Sequence, residues 1–247
     1  MGRHRDDVVG LYRDNAVVLR SWKLGESDRI VSLMTQTHGK VRCVAKGARK
    51  TKSRFGARVE PTNHLEVQLY RGKGELDTLT QVESIDRFPA LREDLELFAR
   101  ASSMLEAVEV VAQDHEPNAA LYTMLARALH TVTQSESHLV VAGFFMKLLS
   151  MEGLAPSIHA CVGCGSAADL THFSVADGGT SCGDCRLGPP LSVDAAALLH
   201  LALGGQLGAV LNQPASPATR EFDVLAQRLL EHNLERRLRS STVLEQA

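Results

Sequence analysis

No stretch of this 247-residue chain is long and apolar enough to cross a bilayer as a helix; the longest apolar patch, LVVAGFFM at 139–146, falls far short of the roughly 18 residues required. The opening MGRHRDDVVG has no hydrophobic segment, so no secretory signal is expected, and Asp6 stands where a myristoylation motif carries Ser or Thr. These absences predict a cytoplasmic protein without a membrane partner. Catalytic signatures are missing as well. There is no GxxxxGK[ST] phosphate loop, no HExxH, no GxSxG and no kinase-like set, and GARKTKS has the wrong spacing for the first. The ten histidines are scattered, and GESDR at 25–29 reads as a turn capped by its own acids. No enzyme is expected. Aromatic residues make up only 4% of the chain, and net charge is almost nil at −2.

That small net charge hides an asymmetry. GKVRCVAKGARKTKSRFGAR, residues 39–58, carries eight Lys or Arg and no acid, whereas residues 83–116 hold nine Asp or Glu, from Glu83 to Glu116. Charge segregated this way can bind an anion at one end of a molecule that is neutral as a whole. As a strand, KVRCVAK places Lys40, Arg42 and Lys46 on one face, with Val44 among them, and Val41, Cys43 and Ala45 on the other. Cys43 is thus expected in the core. Beyond Gly47, ARKTKSRFGAR continues as a loop bearing Arg49, Lys50, Lys52, Arg54 and Arg58. Such a surface can follow a phosphate backbone; the alternative is a solvated edge strand guarded by lysines against aggregation. Eight cations with no acid between them favour binding, because their repulsion needs compensation. Only Phe55, and Trp22 in a neighbouring turn, offer rings for stacking, so weakly sequence-specific, electrostatic binding is expected.

The first 85 residues read as five short strands, 15–22, 29–36, 40–46, 64–70 and 76–84, separated by turn residues at Gly25, His38-Gly39, Gly47, Pro61-Thr62-Asn63 and Gly72-Lys73-Gly74. Five strands with tight hairpins and one longer connection suit a small barrel, or alternatively a loose two-layer sheet. From Pro89 to Gly153 the apolar period becomes helical, through Leu95, Phe98, Ala99, Leu105 and Val108, and then Leu121, Leu125 and Leu129. SESHLVVAGFFMKLLSMEG begins with capping-type residues and stops at Gly153, and the pattern resumes from Ser192 to Arg239 with Ser216-Pro217 as cap and first-turn proline.

Between the helical blocks, Cys161-x2-Cys164 is followed after seventeen residues by Cys182-x2-Cys185, the spacing of a four-cysteine zinc ribbon. Two CxxC turns let four thiolates close a tetrahedral shell around one Zn2+ with no open position, which makes the ion structural. Redox pairs are the alternative, and His159 and His172 are nearby substitute ligands. Gly163 and Gly183 sit inside the turns, where positive φ and close backbone approach to sulfur are expected, and LTHFSVADGG supplies a small hairpin.

Residues 12–84 carry the GExDRIV turn, LMT, GKVxxVAKGARKxxS and LYRGKGELDTLTQ, and in these they resemble the N-terminal domain of the RecO family of bacterial recombination mediators. The helical remainder interrupted by CxxC…CxxC is similar to that family's layout, in its zinc-bearing version. The resemblance implies an α+β multidomain protein: an oligonucleotide-binding (OB) barrel at 1–85, helical segments at 86–157 and 191–247, and a zinc ribbon at 158–190. It further implies binding of single- and double-stranded DNA, annealing of complementary strands, and action with RecR to help RecA displace single-stranded-DNA-binding protein (SSB). On that resemblance the DNA contacts are Lys40, Arg42, Lys46, Arg49, Lys50, Lys52, Arg54 and Arg58, with Arg29 beside them. The residues alone also allow an RNA-binding accessory of translation or transcription.

Overall fold

The computed structural model describes residues 10–238. The first nine residues and Arg239, the last position assigned to the helical pattern, lie outside the described residues. The chain divides after Thr133 into two compact units.

In the first unit, β1 (Gly10–Leu24), β2 (Asp28–Thr35), β3 (Lys40–Ala45), β4 (His64–Arg71) and β5 (Asp77–Asp86) close a barrel in the order β1-β2-β3-β5-β4. The pairings are antiparallel except β3 with β5, which meet parallel at Cys43/Asp77 and Val44/Thr78. This is the five-stranded barrel expected from the strand runs. β1 is longer than its apolar run because it pairs on both edges, with β2 and with β4, and a bulge between Val18 and Arg20 turns it around the barrel. Alternation fills the interior: Val41, Cys43 and Ala45 from β3 and Leu65, Val67 and Leu69 from β4 are almost fully buried, joined by Val31, Leu33 and Leu79. Burial of this order stabilises by about 1.5–3 kcal/mol per large side chain. It also pushes the Cys43 thiol pKa well up, as expected of a core cysteine.

A four-residue turn α1 (Ala90–Glu93) leads into α2 (Leu95–Val111), capped by the Asp94 carboxylate accepting from the Leu97 amide at 3.0 Å, and α3 (Ala119–Gln134) follows, begun by Asn118 accepting from Leu121 N. Leu95 and Phe98 stay exposed; the buried face of α2 runs through Ala101, Met104, Leu105 and Val108. Because α2 packs on β1 and β2, the α2–α3 connection is brought against the β2–β3 hairpin, where His115 N donates to Lys40 O at 2.8 Å. Gly39 (φ 70°) is required there. A Cβ would lie 2.0 Å from the Glu116 carbonyl oxygen.

The second unit centres on α4 (Val140–Met151), nearly all apolar and therefore buried on most sides, with α5 (Val193–Leu203), α6 (Leu207–Leu211) and α7 (Pro217–Asn233) around it. Ser192 caps α5, and Ser216 with Thr219 forms a capping box ahead of Pro217, as the Ser216-Pro217 signal predicts. The capping residues before α4 act one step early: Ser135 and Ser137 accept from backbone amides at Ser137 and Leu139, and the cap position itself is Leu139. β6 (Leu170–Ser174) and β7 (Gly179–Cys182) form the hairpin of the four-cysteine ribbon. The ribbon holds both ends of its own insertion, since Ser157 pairs with Gly179 and Pro190 with His172.

Candidate functional site

The basic stretch splits between strand and loop, and the two parts meet different neighbours. On β3, Lys40 is only 13% exposed at its side chain; its Nζ donates to Glu109 O at 2.9 Å and lies 3.4 Å from Asp114 Oδ1. Arg42 pairs with the other oxygen of the same carboxylate at 2.8 Å. Arg29 on β2 is likewise paired, with Glu60 at 3.1 Å, and donates to Ser21 Oγ. The acid-rich segment at 83–116 therefore supplies Asp114 as the counter-charge to the strand.

The loop half is different. Lys46, Arg49, Lys50, Lys52 and Arg54 are exposed and Arg58 half-buried, and none of them is ion-paired to a carboxylate among the described residues. Three apolar side chains, Ala48, Phe55 and Val59, anchor the loop in the barrel core. Gly47 N donates to Asp28 Oδ1 at 2.7 Å, Arg49 N to Ser27 O, and the Arg49 guanidinium to the carbonyls of Gly25 and Glu26. The Gly47 amide, with the Ser27 hydroxyl, holds the Asp28 carboxyl below its usual pKa. GESDR thus uses Asp28 to fasten the basic loop as well as its own turn. Asn63, fully buried, donates to the carbonyls of Ala57, Arg58 and Glu60 and fixes the loop's far end. With its backbone held this way, the loop itself needs no ordering when an anion binds, and only the exposed side chains lose freedom.

Neither expected ring is a stacking platform on the loop. Phe55 is 2% exposed and belongs to the core, with Arg54 lying across its ring at 5.0 Å. Trp22 lies on β1 rather than in a turn, half-buried beneath Arg20. The spacing of Phe55 in a polar loop gave no hint that it turns inward; the loop needs an apolar anchor to be ordered at all. Two further cations, Arg87 and Arg92, stand beside Arg58 around a cleft of 250 Å³. They lie far from the basic run in sequence, and only the fold brings them there.

In the ribbon, the sulfurs of Cys161, Cys164, Cys182 and Cys185 all lie within 4.8 Å of one another, with Cys164 and Cys182 3.7 Å apart. Four thiolates about 2.3 Å from one tetrahedral ion stand about 3.8 Å from each other, so the donor set fits a metal ion. His159 and His172 are not in the cluster. The two turns close alike, Gly165 N on Cys161 O and Arg186 N on Cys182 O, but differ in the amide offered to sulfur: Gly163 N, two residues on, points to Cys161 Sγ, and Cys185 N, three residues on, to Cys182 Sγ. The left-handed residue is the one after each second cysteine, Gly165 (φ 78°) and Arg186 (φ 49°), not Gly163 or Gly183. Space matters at Gly163 instead, where a Cβ would meet Leu187 Cδ1 at 3.0 Å and Cys185 Sγ at 3.1 Å; at Gly183 a Cβ would meet only the carboxylate end of Asp169, which can turn aside. Packed this closely, the thiols titrate against each other: backbone hydrogen bonding, first from Cys182, holds Cys161 down to about 6, and hydrogen bonds with the other thiols, Cys164 first, push Cys185 up to about 12. A cation resolves that competition by taking all four as thiolates.

No helix among the described residues is long and apolar enough to span a membrane. The model of the recombination protein O N terminus matches residues 9–88, and that of the recombination protein O C terminus matches residues 92–242. Similar curated proteins are the DNA repair protein RecO of Streptomyces griseus, 38% identical with 96% of this chain and 100% of the relative covered, and that of Streptomyces avermitilis, 39% identical over the same shares. The DNA repair protein RecO of Cutibacterium acnes is 38% identical, with 95% and 98% covered. The barrel, the helical remainder and the four-cysteine cluster accompany matches that together span nearly the whole sequence, and the chain belongs to the recombination protein O family of DNA repair proteins.

Proposed function

We propose that this chain is a DNA-binding recombination mediator that binds single- and double-stranded DNA, anneals complementary strands and, with RecR, helps load RecA onto SSB-coated single strands. The observation that carries the reading is the anchored loop from Lys46 to Arg58, whose cations form no ion pair with a carboxylate among the described residues, Asp28 acting on Lys46 and Lys50 only at longer range. Two DNA strands repel through their phosphates; cations that neutralise part of each lower that barrier, and bases then pair without further help from the protein. No bond is made or broken by the protein in this process. Arg29, Lys40 and Arg42, each already paired with a carboxylate, act as secondary contacts. For the domains we keep the barrel at 1–85 as the DNA-binding part, the helical segments at 86–157 and 191–247 as the platform for RecR and SSB, and the ribbon at 158–190. The place of action is the nucleoid.

For the ribbon we propose one structural Zn2+ on Cys161, Cys164, Cys182 and Cys185, since four sulfur donors in a tetrahedral set leave no position for a substrate. Metal analysis is expected to give about one zinc per chain, and Cys182→Ser to release it and lower the melting temperature while oligonucleotide binding by the barrel persists. The function is tested by annealing of complementary DNA strands, with and without SSB, across a salt series and with RNA of equal length as competitor. Acceleration that fades with salt and survives SSB is expected. A strong preference for RNA would move the chain to an accessory role in translation or transcription, and absence of annealing would overturn the proposal.

A further inference from the structure

Arg58, Arg87 and Arg92 converge on a 250 Å³ cleft also lined by Ser53, Phe55, Gly56 and Ala57. Three like charges around one cleft repel each other, and an anion between them offsets that repulsion. None of the three is ion-paired among the described residues. Each is instead oriented by a neutral acceptor: Arg58 Nη1 by the Arg54 carbonyl at 2.5 Å, Arg87 Nε by Ser84 Oγ at 3.1 Å, and Arg92 Nη2 by Asn63 Oδ1 at 2.8 Å. A guanidinium has five N–H donors, so one such bond fixes its direction and leaves the charge and most donors available. Ser53 Oγ accepts from the amides of Phe55 and Gly56, which keeps its own proton free to donate. Asn63 is the keystone, holding the loop by its amide nitrogen and Arg92 by its oxygen. The chain also bends sharply between Arg87 and Arg92, at Phe88, a buried non-glycine residue with φ 44°. Backbone strain of that kind is found where a fold must aim particular side chains.

We propose that this cleft is a phosphate-binding subsite for a nucleic-acid strand, with Arg87 and Arg92 as contacts outside the basic loop. The guanidinium fork matches phosphate oxygens in bidentate fashion. The cleft selects the phosphate and not a base, because its one ring, Phe55, is turned into the core. The subsite rests on the nucleic-acid reading of the loop and extends the path of the strand from the loop tip to the β5–α1 turn.

The test follows binding of a fluorescent oligodeoxythymidylate, with and without a 5′-phosphate, across a salt series. Arg87→Gln combined with Arg92→Gln is expected to flatten the slope of log affinity against log salt by about 0.7–0.9, one phosphate's contribution, and to weaken binding about tenfold at low salt. Arg87→Gln alone, at an exposed side chain, moves the slope in the same direction with an unchanged melting temperature, which separates contact from folding. A parent preference for the 5′-phosphorylated strand that the double variant loses assigns a strand end; equal binding of both assigns a backbone phosphate. If the parent binds with a steep slope and both variants keep it, the subsite is wrong while the nucleic-acid reading stands. If the parent does not bind, both fall.

Discussion

Strand β3 and the loop that follows it share one basic run of sequence and end in opposite electrostatic circumstances. Lys40 and Arg42 face a single carboxylate, Asp114, delivered by the α2–α3 connection, whereas the loop cations from Lys46 to Arg58 form no ion pair among the described residues, Asp28 acting on Lys46 and Lys50 only from beyond contact distance. Charge written in a sequence is therefore not the same as charge available to a ligand. What separates the two halves is the packing of the connection on the β2–β3 hairpin, enforced by Gly39 and the His115–Lys40 backbone bond.

The difference can be pressed hardest by removing the loop charges. Replacing Lys46, Arg49, Lys50 and Lys52 together with Gln is expected to weaken oligonucleotide binding about a hundredfold or more at low salt and to flatten the salt slope by roughly 0.7–0.9 for each phosphate left without its cation. Fluorescence anisotropy reads both, and the melting temperature should fall only slightly, because Lys46, Lys50 and Lys52 are exposed and only the two Arg49 hydrogen bonds to the Gly25 and Glu26 carbonyls are lost. A smaller effect of opposite sign is expected from Asp114→Asn, which frees Lys40 and Arg42: affinity should rise about three- to tenfold and the slope steepen, at a cost in stability of about 1 kcal/mol or less for the two broken ion pairs. Unchanged affinity would mean that the strand cations lie off the path of the DNA altogether. The smallest change is expected from Arg42→Gln, below about threefold, since the cation it removes is already neutralised.

Most of the barrel was legible in the sequence because its signals are local. Period-two alternation marked β3, runs of Val, Leu and Thr marked the other strands, and glycine marked the tight turns. The cysteine spacing likewise specified the cluster, since a CxxC turn is closed by its own backbone. What escaped were properties decided by distant residues. Phe55 looks like a stacking ring until Ala48 and Val59 are seen to enter the core beside it. Arg87 and Arg92 gave no signal because a search for charge runs sees neighbours in sequence, not across the β3–β4 loop and the β5–α1 turn. Asp114 belonged to an acidic region evident in composition, but its partners depended on how α2 lies on the barrel. Leu95 and Phe98 fit a helical period yet stay exposed, because period alone does not say where the neighbouring layer ends.

The decisive measurement is a paired salt titration of DNA affinity for two variants against the parent, one with Lys40 and Arg42 changed to Gln and one with Lys50 and Lys52 changed to Gln. Both remove two positive charges. The loop pair should flatten the slope by about 1.4–1.8 and the strand pair, already offset by Asp114, by less than half as much. Equal flattening by the two pairs would contradict the division of labour between strand and loop, and a parental slope in the loop variant would show that the loop does not hold the DNA.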